Sequence, residues 1–283
     1  MKRSQPRTRS EIRRILVGLD ASPSSYAALE AAVSLALDLE AEIEGLFVED
    51  VNLLRFAGLS FTRVVDAASA RPRAFEPADI ERELRARAEQ ARQMLAAAAG
   101  TRISWSFRVA RGKVESEFLA AARKADLVSL GFVGDRPAGG TAAGSLARRA
   151  VFDSSRSVLL LRRRQSAGAP VALCLDKGPK GVRALDCAAS LAKAQGGPLT
   201  VVTFAATKTE ERRIEARVAD RLHGLNLRFS FLHLGAAGRR DLDAVLRAAH
   251  GGVLVVSAES PLVEGDTLRT LVENCACSLL LAR

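Results

Sequence analysis

The chain has 283 residues, 48% of them hydrophobic and 26% charged, which suffices for two domains of about 100–150 residues with separate cores. No apolar run approaches the roughly 20 residues needed to span a bilayer. The basic N-terminus is followed by only a short apolar stretch at 15–19, whereas a secretory signal needs a longer one. We therefore expect a cytoplasmic protein that does not enter a membrane.

The net charge of +10 is unevenly distributed. Residues 1–14 carry six Lys or Arg against Glu11, a net +5, and residues 162–164 add +3. The rest of the chain is then nearly neutral, whereas a nucleic-acid-binding domain usually carries its basic patch on the folded body. We interpret residues 1–11 as a solvated basic tail. Contact of this tail with RNA, DNA or anionic lipid is the less favoured alternative.

Strand and helix patterns alternate through the first half of the chain. Apolar runs or alternating apolar residues predict strands at 15–19, 43–48, 103–109, 127–130 and 158–161. Caps and apolar periodicity predict helices after Ser22-Pro23, between Ile80 and Gly100, at 114–122 and from about Ser145. The core-facing stripe of the first helix is predicted to be Leu29, Val33 and Leu37. This alternation predicts a doubly wound α/β fold with a five-stranded parallel sheet.

The second half of the chain repeats the first. Residues 15–20 (ILVGLD) return 156 positions later as residues 171–176 (VALCLD), and the following helix repeats at the same offset. The final strands also match, 157–162 against 278–283, at an offset of 121. Arg, Ser, Gly and Pro cluster between the copies, as in a linker. We predict a basic tail at 1–11, a domain at 12–162, a linker at 163–169 and a second domain at 170–283.

A glycine-rich segment, GFVGDRPAGGTAAGS, spans residues 131–145 between a predicted strand and a predicted helix. Glycine lets a backbone adopt positive φ and approach phosphates closely, and the first-turn amides of a helix favour anions. The segment is not a Walker A loop, because Ser145 stands where that motif requires Lys. It is not a Rossmann loop either, since that motif follows the first strand. The alternative is a turn that only connects strand to helix.

The spacing G-x2-G-x9-G-[ST] after the fourth strand resembles the nucleotide loop of ATP-binding universal stress proteins. Gly131, Gly134, Gly144 and Ser145 match it residue by residue. The first strand, which is followed by Asp20, and the segment 114–131 are also similar to that family. The resemblance covers residues 12–162 well and 170–283 more weakly.

The resemblance implies two five-stranded sheets in the order 3-2-1-4-5, packed as a pseudo-twofold pair through their last strands. This would be an intramolecular pseudo-dimer, with a further homodimer left open. It also implies ATP across the carboxyl ends of strands one and four, which are neighbours at the switch point. Asp20 would contact the ribose or Mg²⁺, the backbone near Val48 would contact adenine, and the loop residues would contact the phosphates. We expect Gly131→Val or Gly144→Val to abolish binding in a protein that stays folded.

The second copy lacks most of the glycine loop. Asp266 replaces Ser145, and at an offset of 127 Ala258 and Pro261 replace the first two glycines. A carboxylate at this helix start repels phosphate. We therefore predict one adenine nucleotide per chain, held in the first domain, and a structural role for the second.

Other chemistry-bearing residues suggest no further site. The cysteines, which lack metal-site spacing and are predicted to be reduced thiols, are Cys174, Cys187, Cys275 and Cys277. The three histidines are interpreted as structural or surface residues. Residues 50–77 have no counterpart in the second copy. We interpret them as a connection packed on the body, with a lid or partner-docking element as the alternative.

Three functions stay open at this point. An ATP-binding stress-response or signalling protein is favoured. A slow ATP hydrolase is less favoured, because the first copy has no histidine, no Lys for the terminal phosphates and no evident general base beside the loop. The third is a nucleotide-independent interaction protein.

Overall fold

The computed structural model describes residues 12–57, 63–65, 72–74, 77–132, 144–162, 166–175, 179–235, 242–263, 266–274 and 277–283. The strands in these ranges are β1 (Arg14–Gly18), β2 (Glu42–Asp50), β3 (Arg63–Val65), β4 (Pro72–Ala74), β5 (Trp105–Gly112), β6 (Leu127–Gly131), β7 (Ser157–Leu161), β8 (Val171–Cys174), β9 (Leu199–Thr203), β10 (Phe229–His233), β11 (Val253–Ser257) and β12 (Ser278–Ala282). The helices are α1 (Pro23–Leu39), α2 (Val51–Ala57), α3 (Pro77–Ala99), α4 (Val114–Ala122), α5 (Ser145–Asp153), α6 (Pro179–Gln195), α7 (Lys208–Leu222), α8 (Leu242–Ala248) and α9 (Asp266–Asn274).

Ten strands form one continuous sheet in the order β10-β9-β8-β11-β12-β7-β6-β1-β2-β5. Each half of this sheet has the order 3-2-1-4-5, which confirms the predicted fold. All neighbouring strands are parallel except β7 and β12, which pair antiparallel with Leu159 opposite Leu280. This pair relates the two halves by an approximate twofold axis. The last strands, which would otherwise be exposed apolar edges, thereby become the middle of the sheet.

Helices cover both faces of the sheet, as its apolar strands require. One face packs against α1, α3, α6 and α7, and the other against α4, α5, α8 and α9. The central strands are buried on both faces, which explains why they are short continuous apolar runs. Because both faces of such strands are apolar, the strand residues do not indicate which helices pack on which face. The strand order is determined by the crossover helices.

Helix α1 begins as predicted, because Ser22 is its N-cap and Pro23 its first residue. The Ser22 hydroxyl accepts a hydrogen bond from the Ser25 N–H at 3.2 Å. Leu29 and Val33 are buried, but the prediction that Leu37 faces the core is wrong, since it is 39% exposed. The last turn of α1 lies beside an open groove between the halves rather than over the sheet.

The third strand of the first half differs from its predicted bounds. It was expected at 103–109, whereas β5 runs from Trp105 to Gly112. The reason is its partner: β5 pairs with β2 along its full length, from Ile43 opposite Trp105 to Asp50 opposite Gly112. The long β2 therefore fixes the extent of β5. As the outer strand, β5 leaves Val109 45% exposed.

The segment between β2 and α3 contains structure that the sequence did not predict. Helix α2 follows β2 directly and contacts α3, while β3 and β4 form a separate antiparallel pair. The α2 side chains Leu53 and Phe56 are 48% and 61% exposed. Helix α2 therefore contacts the body through α3 while these two apolar side chains face solvent.

Two equivalent arginines join the halves beside the β7–β12 pair. Arg162 follows β7 and Arg283 follows β12, at the sequence offset of 121. The Arg162 N–H donates to Ser278 Oγ at 3.3 Å, and the Arg283 N–H donates to Ser157 Oγ at 3.0 Å. The matching terminal segments thus form a reciprocal contact.

The two guanidinium groups each reach the last helix of the other half. Arg162 donates to the carbonyls of Val272 and Glu273 near the end of α9, at 3.2 and 3.4 Å. Arg283 donates to the carbonyls of Val151 and Ser154 at the end of α5, and to that of Arg156 in the turn before β7. The last carbonyls of a helix have no partner within the helix. Each half therefore caps the C-terminus of the final helix of the other.

Candidate functional site

The carboxyl ends of β1 and β6 meet at the start of α1. The two strands are neighbours, with Ile15 opposite Leu127. Asp20 follows β1, and its Oδ1 accepts the Ser22 N–H at 3.0 Å. Asp20 is therefore held at the N-terminus of α1, and it is partly exposed there. This places it at the crevice in which the sequence predicted a ligand.

Gly131, the last residue of β6, lies against the first turn of α1. A Cβ on Gly131 would come within 2.7 Å of the Ser24 carbonyl carbon and 2.8 Å of its oxygen. The close approach that this glycine allows is thus to helix α1. Its φ is not positive, so conformational freedom is not the reason for glycine here. The geometry disagrees with the expectation that Gly131 can be changed without disturbing the fold.

Gly144 closes the glycine loop. Its N–H donates to the Phe132 carbonyl at 3.0 Å, which joins the two ends of the segment 133–143. Gly144 is the N-cap of α5, with φ of −59° and no side-chain capping bond. Other residues also adopt this φ, so backbone conformation does not require glycine here. What distinguishes Gly144 is that it places no side chain beside the first-turn amides of α5. Gly134 lies outside the described residues.

Val48 lies on the part of β2 that extends past β1. The β1–β2 pairing ends with Gly18 opposite Leu46, and the Leu19 N–H donates to the Leu46 carbonyl at 2.9 Å. Backbone polar groups of successive strand residues alternate between the two neighbours. Val48 therefore directs its N–H and C=O to the same side as Leu46, beyond the end of β1. This is the crevice that also contains Asp20.

Ser145 has a partner that the sequence did not reveal. The Ser145 hydroxyl donates to Glu115 Oε1 at 2.8 Å. Glu115 lies in the first turn of α4, so the contact joins the N-terminal ends of two neighbouring helices. This bond, together with a backbone N–H bond and the nearby charges of Arg149 and Lys113, lowers the pKa of Glu115. No sequence signal joins residues 30 positions apart in this way.

The equivalent crevice of the second half is built differently. Gly131 pairs with Leu161, and Ser257 pairs with Ala282. Because Leu161 and Ala282 are related by the offset of 121, the counterpart of Gly131 is Ser257. The expected counterpart, Ala258, is wrong by one residue. The register of strands, rather than gap-free sequence matching, decides this position.

Charged groups occupy the second crevice. Lys180, in the first turn of α6, forms an ion pair with Glu259 of the loop after β11 at 3.9 Å. Asp266 is the first residue of α9, where Ser145 is the first residue of α5. Asp176, the counterpart of Asp20, lies outside the described residues.

Two further properties limit the chemistry. Among the described residues, no group of three or more His, Cys, Asp or Glu side chains is placed to hold a metal ion. In the same part of the chain, no helix is long and apolar enough to cross a membrane. Within the described residues, Asp20 therefore does not belong to a cluster of three or more such side chains.

The fold, with its two repeated halves, resembles known structures. A universal stress protein from Archaeoglobus fulgidus DSM 4304 is 15% identical, and the match covers 96% of this chain and 99% of that chain with a TM-score of 0.61. A putative universal stress protein from Pseudomonas aeruginosa UCBPP-PA14 is 15% identical over 98% of this chain and 95% of that chain, with a TM-score of 0.53. A shorter universal stress protein in complex with cAMP covers 53% of this chain and 96% of its own, at 20% identity and a TM-score of 0.36.

Fold and crevice define a doubly wound α/β protein with two repeated halves. The model of the universal stress protein family matches residues 11–162, more than half of the chain, and the chain therefore belongs to that family. No curated protein matches it.

Proposed function

We propose that this protein binds one adenine nucleotide, ATP, in the first half of its sheet, and that it acts in a stress response or in signalling through that binding. The start of α5 carries the proposal. Its N-cap, Gly144, closes the glycine loop and has no side-chain capping bond. First-turn amides with this access attract anions, which suits phosphates.

The other described residues suit the rest of a nucleotide. The backbone N–H and C=O of Val48 face the crevice and match the donor and acceptor edge of adenine. Asp20 is partly exposed at the end of β1, where a carboxylate can accept ribose hydroxyl hydrogens or bind Mg²⁺ together with phosphate oxygens. We propose Gly131, Gly134, Gly144 and Ser145 for the phosphate side. Gly131 contributes by letting β6 and α1 approach each other.

We further propose that the domains are residues 12–162 and 170–283, with 163–169 as the linker and 1–11 as a basic tail. The antiparallel β7–β12 pair and the reciprocal arginine caps support an intramolecular pseudo-dimer. Because these edges are used within the chain, a homodimer would need a different surface.

The first test is to denature the purified protein and identify any released adenine nucleotide by chromatography. Stripped protein is then titrated with ATP by calorimetry, with and without Mg²⁺. We expect saturable binding at one site. Asp20→Asn is a matched variant, because its amide oxygen still accepts the Ser22 N–H. We expect it to weaken binding more in the presence of Mg²⁺ than in its absence.

The same preparation separates the alternatives. Release of phosphate over many hours would establish slow hydrolysis. No retained nucleotide and no saturable binding up to millimolar ATP would overturn the proposal and favour a nucleotide-independent interaction protein.

A further inference from the structure

A carboxylate already lies at the helix start proposed for phosphate. Ser145 is the first residue of α5, and its hydroxyl donates to Glu115 Oε1 at 2.8 Å. Glu115 is partly buried and comes from α4, so it is anchored independently of the glycine loop. A phosphate at the same amides would compete with this carboxylate for Ser145 and would meet its charge.

We propose that Glu115 sets the charge preference of the nucleotide site by holding Ser145 in the ligand-free protein and opposing negative charge at the start of α5. This inference rests on the proposed function and adds to it a residue that the nucleotide-loop motif does not contain. Glu115 acts on affinity and on the choice among nucleotides, without itself binding the base or the ribose.

The surroundings of Glu115 indicate the direction of this effect. The positive charges of Lys113 and Arg149 both act on its carboxylate. Glu115 partly neutralises these two cations. Replacing Glu115 with Gln therefore removes the like-charge repulsion and leaves two positive charges to an incoming phosphate. The neutral amide oxygen of Gln also holds the Ser145 hydroxyl less strongly than the carboxylate does.

The second half offers an independent parallel. There the corresponding helix, α9, begins with Asp266, a carboxylate of its own. Both halves thus have a carboxylate at the helix start that faces the crevice end of the sheet. In the first half it comes from a neighbouring helix and holds a hydroxyl that can be given up.

The consequence differs among nucleotides. Each added phosphate brings more negative charge to the α5 N-terminus, so the penalty from Glu115 rises from AMP to ADP to ATP. Magnesium ion, which neutralises part of the triphosphate charge, reduces the penalty. The wild-type protein is expected to discriminate less in favour of ATP than a variant without this charge.

The test is calorimetric titration of the full-length protein with AMP, ADP and ATP, without and with Mg²⁺. Glu115→Gln is compared with Glu117→Gln, which removes the same charge from the same helix turn but is not bonded to Ser145. Without Mg²⁺, we expect E115Q to bind ATP at least about threefold more tightly than wild type, AMP nearly unchanged, and E117Q like wild type.

A double-mutant cycle with Ser145→Ala identifies the contact. If Glu115 acts partly through Ser145, the gain from E115Q is smaller in the S145A background. Wild type that binds ATP with the same affinity as E115Q would overturn this inference and leave the proposed function intact. Equal gains in E115Q and E117Q would also overturn it, since net charge would explain both. No binding by any of these proteins would overturn the proposed function and the inference with it.

Discussion

The two halves of the sheet share one strand order and differ at the carboxyl ends of their central strands. In the first half, Gly131 lets β6 approach α1, and α5 begins after a glycine N-cap. In the second half, Ser257 has a fully buried side chain at the equivalent strand position, and Lys180 pairs with Glu259 across the crevice. The strands and the junction are thus shared by the two halves, whereas the residues at the carboxyl ends of the central strands differ.

This difference separates the requirements of the fold from those of the site. The fold depends on apolar strands, crossover helices and the reciprocal contacts of the last strands, and both halves have these. In the second half the crevice end also contains a polar cluster, since Thr203 Oγ1 lies 2.7 Å from His233 Nδ1 and His233 Nε2 lies 2.9 Å from Glu215. Thr203 is fully buried, so this cluster joins β9, β10 and α7 rather than facing a ligand.

The largest expected effect concerns stoichiometry. We predict one ATP per full-length chain, and that Gly144→Val raises the Kd above about 1 mM, a binding free energy weaker than about 4 kcal/mol. The backbone of Gly144 accommodates valine because its φ is −59°, whereas two methyl groups beside the first-turn amides leave no room for phosphate. Calorimetry measures both quantities.

The matched control is Gly265→Val, at the sequence position of the second half that corresponds to Gly144. We expect it to leave affinity and stoichiometry unchanged. Two sites per chain, or loss of binding in the control, would refute the assignment of one site to the first half. Full-length protein is preferable to separate halves, because truncation would remove the arginine that caps α5.

The fold could be predicted well because strands and helices leave local signals in the sequence. Apolar runs such as 127–130 and the Ser22-Pro23 cap depend only on neighbouring residues. The internal repeat then indicated that the two halves are related by symmetry. What it missed depends on tertiary contacts. The Ser145–Glu115 bond and the close approach of Gly131 to Ser24 join segments that lie far apart in the sequence. The exposure of Leu37 likewise depends on what packs beside the last turn of α1.

The candidate site could be predicted only as far as its motif. The loop spacing located Gly144 and Ser145 at a helix start, and the structure agrees with that placement. The counterpart of Gly131 was misplaced by one residue because the offset changes between the preceding helix and the strand. Such a change becomes visible only through the pairing of β11 with β12.

The junction provides the next test of the comparison, because it is the feature that the halves share most closely. Arg283 donates to three carbonyls, two at the end of α5 and one in the turn before β7, and its partial burial lowers the pKa of its guanidinium. We predict that Arg283→Ala lowers the free energy of unfolding by about 2–4 kcal/mol, because buried carbonyls lose charged donors. Urea denaturation measures this loss.

Arg269→Ala provides the control, since it removes an exposed arginine from the neighbouring α9. Its expected effect is within about 0.5 kcal/mol. Arg162→Ala, the symmetry-related change, should resemble Arg283→Ala. A loss below about 1 kcal/mol for both junction arginines would show that these arginine contacts contribute little to joining the halves.

A smaller effect is expected where the two crevices differ by one side chain. Gly131→Ala places a methyl group 2.7–2.8 Å from the Ser24 backbone, so α1 must shift. We predict a loss of about 2 kcal/mol, in the range typical of overpacking, measured by urea denaturation. Ser257→Ala, the matched change, removes only an acceptor for the Glu259 N–H at 3.3 Å and should cost less than about 1 kcal/mol. Equal losses of unfolding free energy in the two variants would contradict the inference that strand and helix lie closer together in the first half than in the second.

The smallest effect concerns the cysteines, all of which lie in the second half. Cys174 and Cys187 are at most 1% exposed. Burial raises the pKa of Cys174 and raises the pKa of Cys187 to about 12. Thiolate is the reactive form, so both thiols are expected to stay unmodified by Ellman's reagent at pH 8 in folded protein. The background for this measurement carries Cys275→Ser and Cys277→Ser, so that Cys174 and Cys187 are its two remaining thiols.

Labelling of this background variant in low urea then reports opening of the second half alone. If the β7–β12 pair makes the halves unfold together, ATP bound in the first half will slow labelling of Cys174 and Cys187, because a ligand stabilises whatever unfolds with its site. If the halves open independently, ATP will leave the rate unchanged. Gly144→Val, expected to lose the site, should show no effect of ATP in either case. A slowing that persists in this variant would mean that ATP acts on the second half directly, contrary to the division between the halves.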